Sequence, residues 1–190
     1  MFLEELTRFL PDHWSPMNLR QKWEMIEVPS YTSEYTYIKS QFQGIGSMGP
    51  IYRIQNPVLF TKFYMKTIDY EMRGDTKILT LYHDTVQSNV ESIAAFNIDW
   101  RYGERFKYGP GVYFSTSSFT AQRRANRELG QHRAMFLVNV LVGRTQVGRS
   151  EEFLPDIFND TVVSPDGETY VKYFDSEYYP TYVQFYTASS

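Results

Sequence analysis

The chain has no cysteine among its 190 residues, so disulfides, thiolate metal sites and a cysteine nucleophile are all excluded. Histidine is scarce. His13, His83 and His132 show no paired H-x-x-x-H spacing, and a histidine-built metal centre would need carboxylates from distant parts of the chain, so no metal is expected. No apolar run approaches the length that crosses a bilayer, and Met1-Phe2-Leu3-Glu4-Glu5-Leu6 carries acids where a secretory leader carries bases. These absences predict an intracellular protein, cytoplasmic or nuclear, without membrane contact. Positive charge is also short: the net charge of −3 disfavours nucleic acid held by bulk electrostatics. The basic run Arg123-Arg124-Ala125-Asn126-Arg127 reads as a solvated helix face. Missing as well are a G-x-G-x-x-G turn opening a helix after a strand and a G-x-x-x-x-G-K-S/T phosphate loop, so neither common nucleotide fingerprint is available.

What the chain has in excess is aromatic rings, with 16 tyrosines and 14 phenylalanines. Tyrosine joins a large apolar face to a hydroxyl and suits stacking on planar rings such as nicotinamide or adenine, although most such rings pack a core. Length and a 42% hydrophobic composition fit one domain, residues 1–190, with 1–50 as an N-terminal helical and strand segment of it. No repeat, low-complexity tract or linker interrupts the chain.

Periodicity predicts a short amphipathic helix over 2–10, a strand near Trp23 to Val28, a helix over 33–43 and a short strand from Ile51 to Ile54. Asn56-Pro57 supplies a cap and a first-turn proline for a helix with Leu59, Phe63, Ile68 and Met72 on its apolar stripe, closed by Gly74. Ile78 to His83 reads as a strand, and Ser88-Asn89-Val90-Glu91 has the pattern of a capping box. A helix is predicted over 118–129, a buried strand from Ala134 to Gly143, and closing strands at Tyr170 to Phe174 and Tyr182 to Tyr186. Helices early and strands late indicate an α+β fold. The strand ending on His83 and the glycine-flanked Tyr113 of Gly109-Pro110-Gly111-Val112-Tyr113-Phe114-Ser115 offer polar side chains at two rims that could face one ligand.

Together these segments resemble the catalytic domain of the poly(ADP-ribose) polymerase superfamily, in particular its mono-ADP-ribosyl-transferring members. Leu10-Pro11-Asp12-His13-Trp14 is similar to the entry segment, Tyr52 to Pro57 to the strand and helix start before the site, and Leu81-Tyr82-His83-Asp84-Thr85 to the H-G-T motif. Phe96 to Arg101 is similar to the segment before the donor loop, Gly109 to Phe114 to the G-x-G-x-Y-F motif, Met135 to Gly143 to the central strand, and Tyr179 to Val183 to the closing strand. The resemblance implies an ADP-ribosyltransferase fold: two antiparallel β-sheets forming an NAD cleft, with flanking helices. It implies that NAD serves as ADP-ribose donor without a metal, and that a protein side chain is the acceptor.

By the same resemblance His83 would hydrogen-bond a ribose hydroxyl of NAD and Tyr113 would stack on or flank the nicotinamide. Backbone groups of Asp84, beside Thr85, would bind the carboxamide, and Thr120 would replace the family's carboxamide-binding serine, given a one-residue deletion between Ser115 and Phe119. Cleaving the nicotinamide–ribose bond builds positive charge on the sugar, so binding, orientation and electrostatics suffice without a metal or covalent nucleophile. Two departures stand out. The third signature position, a glutamate in polymerising members, falls on Thr169 when counted without a gap, and on Glu168 with a shift of one. Strand alternation turns these neighbours to opposite faces, and a threonine there disfavours chain elongation. Asp84 stands where the family has glycine, adding bulk and charge at the nicotinamide pocket. The expected function is mono-ADP-ribosyl transfer. The alternative is an inactive interaction module whose pocket Asp84 occludes, in which case Asp84→Gly would regain NAD binding.

Overall fold

A computed structural model describes residues 5–18, 20–74, 76–103, 106–125, 130–150 and 154–188. In chain order the elements are β1 (Glu24–Glu27), α1 (Ser33–Gln41), β2 (Ser47–Gln55), α2 (Pro57–Arg73), β3 (Lys77–Val86), α3 (Val90–Phe96), β4 (Val112–Ser115), α4 (Ser118–Arg124), β5 (His132–Val142), β6 (Thr145–Val147), β7 (Thr161–Val163), β8 (Thr169–Lys172) and β9 (Tyr178–Thr187). Helix starts follow local chemistry. Thr32 accepts from the Tyr35 N–H to open α1, Asn56 from Leu59 to open α2 with Pro57 behind it, and Ser117 from Thr120 to open α4. Gly74, with φ at 82°, ends α2 in the left-handed region.

The fold is mixed α+β, but the two sheets expected from the resemblance are one hydrogen-bonded sheet, ordered β1-β2-β9-β5-β3-β4-β8-β7-β6. All pairings are antiparallel except β6 with β7. The correction has a physical basis in the β3–β4 seam, where a single register pair, Tyr82 opposite Ser115, joins a five-strand array to a four-strand one. By contrast β3 and β5 pair without interruption from Lys77–Val142 to Val86–Arg133.

Alternation along β5 sorts the core. Ala134, Phe136 and Val138 face α3, whose Val90, Ile93 and Ala94 close one cluster. Met135 and Leu137 face Ile38 of α1 and Ala121 of α4, and Leu141 meets Phe63 and Tyr70 of α2. Pro180 lies inside β9, where a proline would break a regular ladder. The register against β5 shifts there, between Leu137 and Val138, and Thr181 Oγ1 donates to the Leu137 carbonyl.

Several boundaries differ from those predicted. β2 runs from Ser47 across Gly49-Pro50 with a register shift between Met48 and Ile51, so a turn-like dipeptide sits within a strand. β3 continues past His83 to Val86. The Ser88 pattern forms no capping box: a short 3-10 turn, Gln87–Asn89, precedes α3, whose start has no side-chain cap. Met72 is 85% exposed instead of lying on the buried stripe of α2, because Tyr70 takes the inward position. Residues 2–4 of the first predicted helix and 126–129 of the helix over 118–129 lie outside the described residues.

Candidate active site

The site is built on the seam. Beyond Tyr82 and Ser115 the β3–β4 ladder stops, and the His83 imidazole spans the opening strands: its Nδ1 lies 3.0 Å from the Tyr113 carbonyl oxygen. A carbonyl only accepts, so the ring proton sits on Nδ1 and the neutral ring presents a bare Nε2 lone pair. Burial pushes the His83 pKa down, the bond to Tyr113 opposes this, and the Arg133 charge adds to the lowering. The ring packs 6.1 Å from that of Phe114. His83 is thus a fixed, neutral hydrogen-bond acceptor at a strand opening.

Tyr113 meets His83 through its backbone. Its hydroxyl accepts from the Tyr108 N–H at 2.8 Å and donates to the Gly109 carbonyl at 2.9 Å, and its half-buried ring lies 6.5 Å from that of Phe106. It therefore holds down the loop that leads into β4. Tyr173 reinforces this by donating to the Tyr108 carbonyl at 2.8 Å. The loop needs its glycines: Gly109 has φ at 88°, and a Cβ at Gly111 would come within 2.6 Å of the Lys172 carbonyl oxygen.

Thr169 pairs with Ser115 and is 3% exposed, and no described residue bonds its Oγ1. A buried hydroxyl without a partner is uncommon. Glu168 turns the other way, to Arg123 at 3.1 Å and Arg124 at 3.5 Å on the surface. Of the two neighbours, Thr169 is therefore the one buried in the sheet and Glu168 the one held at the surface. Thr120 is buried in the first turn of α4, where its Oγ1 accepts from Ser117 Oγ at 3.0 Å, a bond within the helix start. Thr85 Oγ1 accepts from Asn89 Nδ2 at 3.0 Å.

Asp84 departs most from expectation. Being next to His83 on a strand, it points to the opposite face, where its carboxylate takes the Arg133 guanidinium and the Tyr186 hydroxyl. Both side chains of the ion pair are almost fully buried, at 2% for Asp84 and 4% for Arg133. Burial pushes the Asp84 carboxyl pKa up, while Tyr186 and Arg133 pull it back. Sequence reasoning identified Asp84 but missed both partners. The available signal was Arg133 itself, a cation opening an otherwise apolar buried strand, which requires a carboxylate within reach.

A cavity of about 490 Å³ opens on the Tyr82 side of the seam, lined among others by Gln41, Gly44, Tyr82, Ser117 and Phe119. None of the sequence-predicted site residues lines it. Among the described residues no cluster of three metal-ligating side chains occurs, and no helix is long and apolar enough to cross a membrane.

No family model matches the chain. Curated relatives do. The chain is 26% identical over 194 residues to the protein mono-ADP-ribosyltransferase PARP11 of Homo sapiens, covering 88% of this chain and 55% of that protein. The protein of the same name from Mus musculus matches at 26% identity, over 88% of this chain and 56% of its own length. A probable poly(ADP-ribose) polymerase of Dictyostelium discoideum matches at 25% identity over 172 residues, 84% of this chain and 51% of its own. The chain spans about half the length of these relatives. Its similarity to ADP-ribosyltransferases therefore extends across most of its length, well beyond the short motifs.

Proposed function

We propose that the chain is an NAD-dependent mono-ADP-ribosyltransferase that moves ADP-ribose from NAD to a protein acceptor and releases nicotinamide. The observation that carries this reading is His83: its Nδ1 is engaged by the Tyr113 carbonyl where β3 and β4 part, which leaves Nε2 to accept from a ribose hydroxyl. A hydroxyl bound to an aligned neutral imidazole orients the sugar without adding positive charge beside the developing cation. Thr169 Oγ1 is a second polar group left without a described partner; it is buried on the strand face shared by Ser115 and Tyr82.

The single-unit character follows from Thr169. Elongation calls for a carboxylate that activates a ribose hydroxyl of the growing chain, and Glu168, the neighbour of Thr169 in sequence, is held on the surface by two arginines. Against the reading of an occluded interaction module, the Asp84 carboxylate is engaged by Arg133 and Tyr186 on the face opposite His83, away from the His83 imidazole.

Transfer of labelled NAD to candidate acceptor proteins tests the reading. Wild-type protein is expected to label an acceptor and His83→Ala to label none. Undiminished labelling by His83→Ala removes His83 from the site.

A further inference from the structure

We propose that Arg133 and Tyr186 are positioning residues: together with the Asp84 carboxylate they clamp the β3 edge peptide that would meet the nicotinamide carboxamide, so the aspartate is a built part of this site. The inference rests on the donor-site reading above and extends it to two residues of other strands.

β3 needs such a clamp because of the seam. From His83 onward it has a ladder only to β5, through Asp84–Met135, Thr85–Ala134 and Val86–Arg133, and its other edge is open. Strand edges with one neighbour are less constrained than central ones. Two side chains compensate from opposite faces: His83 reaches the Tyr113 carbonyl, and Asp84 reaches back across β5. Arg133 faces Asp84 on the diagonal of the β3–β5 ladder and pairs directly with Tyr186 on β9. The three groups thus form a continuous polar bridge over three strands. Arg133 donates from Nε at 2.9 Å and also from Nη2 to Oδ1, and the Tyr186 hydroxyl donates to Oδ2. Both carboxylate oxygens are taken, and none of the three side chains is available to solvent to any useful degree.

Glycine at position 84 could not make this bridge. Restoring glycine would remove the buried carboxylate on which Arg133 and Tyr186 converge from two strands. Arg133, Tyr186 and Asp84 therefore act as one unit, and the local departure from the family pattern has its compensation two strands away.

The test uses calorimetric titration with benzamide, a carboxamide on a neutral ring, alongside thermal melts. The variants are Tyr186→Phe, which removes only a hydroxyl, Arg133→Lys, which keeps the cation but loses the planar fork, and Asp84→Gly. Glu34→Gln serves as a control: it weakens another ion pair, Arg53–Glu34, held between α1 and β2, and leaves the three clamp residues in place. Tyr186→Phe is expected to bind benzamide about threefold to tenfold more weakly, and Arg133→Lys and Asp84→Gly at least about tenfold more weakly. Glu34→Gln is expected to melt lower while binding as the wild type does, which separates positioning from general stability. Wild-type affinity in Tyr186→Phe and Arg133→Lys, or tighter binding by Asp84→Gly, overturns the clamp while leaving the donor site intact. A folded wild-type protein that binds neither benzamide nor NAD overturns the clamp and the donor-site reading together.

Discussion

Thr169→Val should make the protein more stable and less active. Thr169 is 3% exposed and its Oγ1 has no described partner, while its backbone N–H donates to Ser164 Oγ at 2.9 Å and does not depend on the side chain. Valine has nearly the same shape and suits a strand. Removing a buried, unsatisfied hydroxyl recovers about 1–3 kcal/mol of desolvation. For a chain of this length each kcal/mol moves Tm by about 2–4 °C, so a rise of about 2–12 °C is expected by scanning calorimetry. If the hydroxyl meets the donor, labelled-NAD transfer should drop about tenfold at subsaturating NAD. Opposite signs on stability and turnover mark a residue kept for function at a cost to the fold. A lower Tm would refute the reasoning, because it would mean that Oγ1 has a stabilising partner. A higher Tm with unchanged transfer would remove Thr169 from the site.

Lys172 is fully buried against Asp160 Oδ1 at 2.9 Å, Thr161 Oγ1 at 2.9 Å and Glu177 Oε2 at 3.2 Å. Lys172→Met should cost about 3–5 kcal/mol, or about 6–20 °C in Tm, and adding Glu177→Gln should restore part of the loss; a double variant no better than the single one contradicts this. Gly111→Ala places a Cβ 2.6 Å from the Lys172 carbonyl oxygen and 2.7 Å from Val171 Cγ1, so thermal melts should show a loss of about 1–3 kcal/mol, and a neutral result would mean that β4 and β8 separate easily. Burial holds the His83 pKa below its ordinary 6.5, so the unfolded chain takes up this proton first as the pH drops. The corresponding stability is complete above about pH 6.5 and is lost as pH falls toward the folded-state pKa. Melts from about pH 7.5 to 5.5 should therefore be steeper for the wild type than for His83→Asn, and parallel curves count against a buried neutral imidazole.

The elements that chain-local chemistry specifies were legible. Asn56-Pro57 and Gly74 bound α2 as read, and the apolar run at 134–143 became β5. What was not legible depends on pairing between distant segments. The single sheet arises from one contact, Tyr82 with Ser115, which no local pattern encodes. Gly49-Pro50 looks like a turn, yet β2 carries it because a register shift beside β9 absorbs the irregularity. The Ser88 pattern was misleading, since β3 runs on to Val86 and the chain enters α3 through a 3-10 turn.

At the site, alternation separated Glu168 from Thr169, because a period of two survives any twist of the sheet, and the same period turns Asp84 away from His83 in the structure. The destination of the Asp84 carboxylate was beyond local reasoning: Arg133 and Tyr186 lie 49 and 102 residues away in sequence. The bonds of the Tyr113 hydroxyl to the Tyr108–Gly109 loop were likewise not legible, since only the folded loop discloses them.

The central claim is that the opening between β3 and β4 is a donor site in which His83 accepts from NAD. Calorimetric titration of NAD into wild-type protein and His83→Ala tests it most directly. The account predicts saturable binding by the wild type, weakened about tenfold or more in a folded His83→Ala variant. A folded wild-type protein that takes up no NAD, or equal affinity in the two proteins, would contradict it.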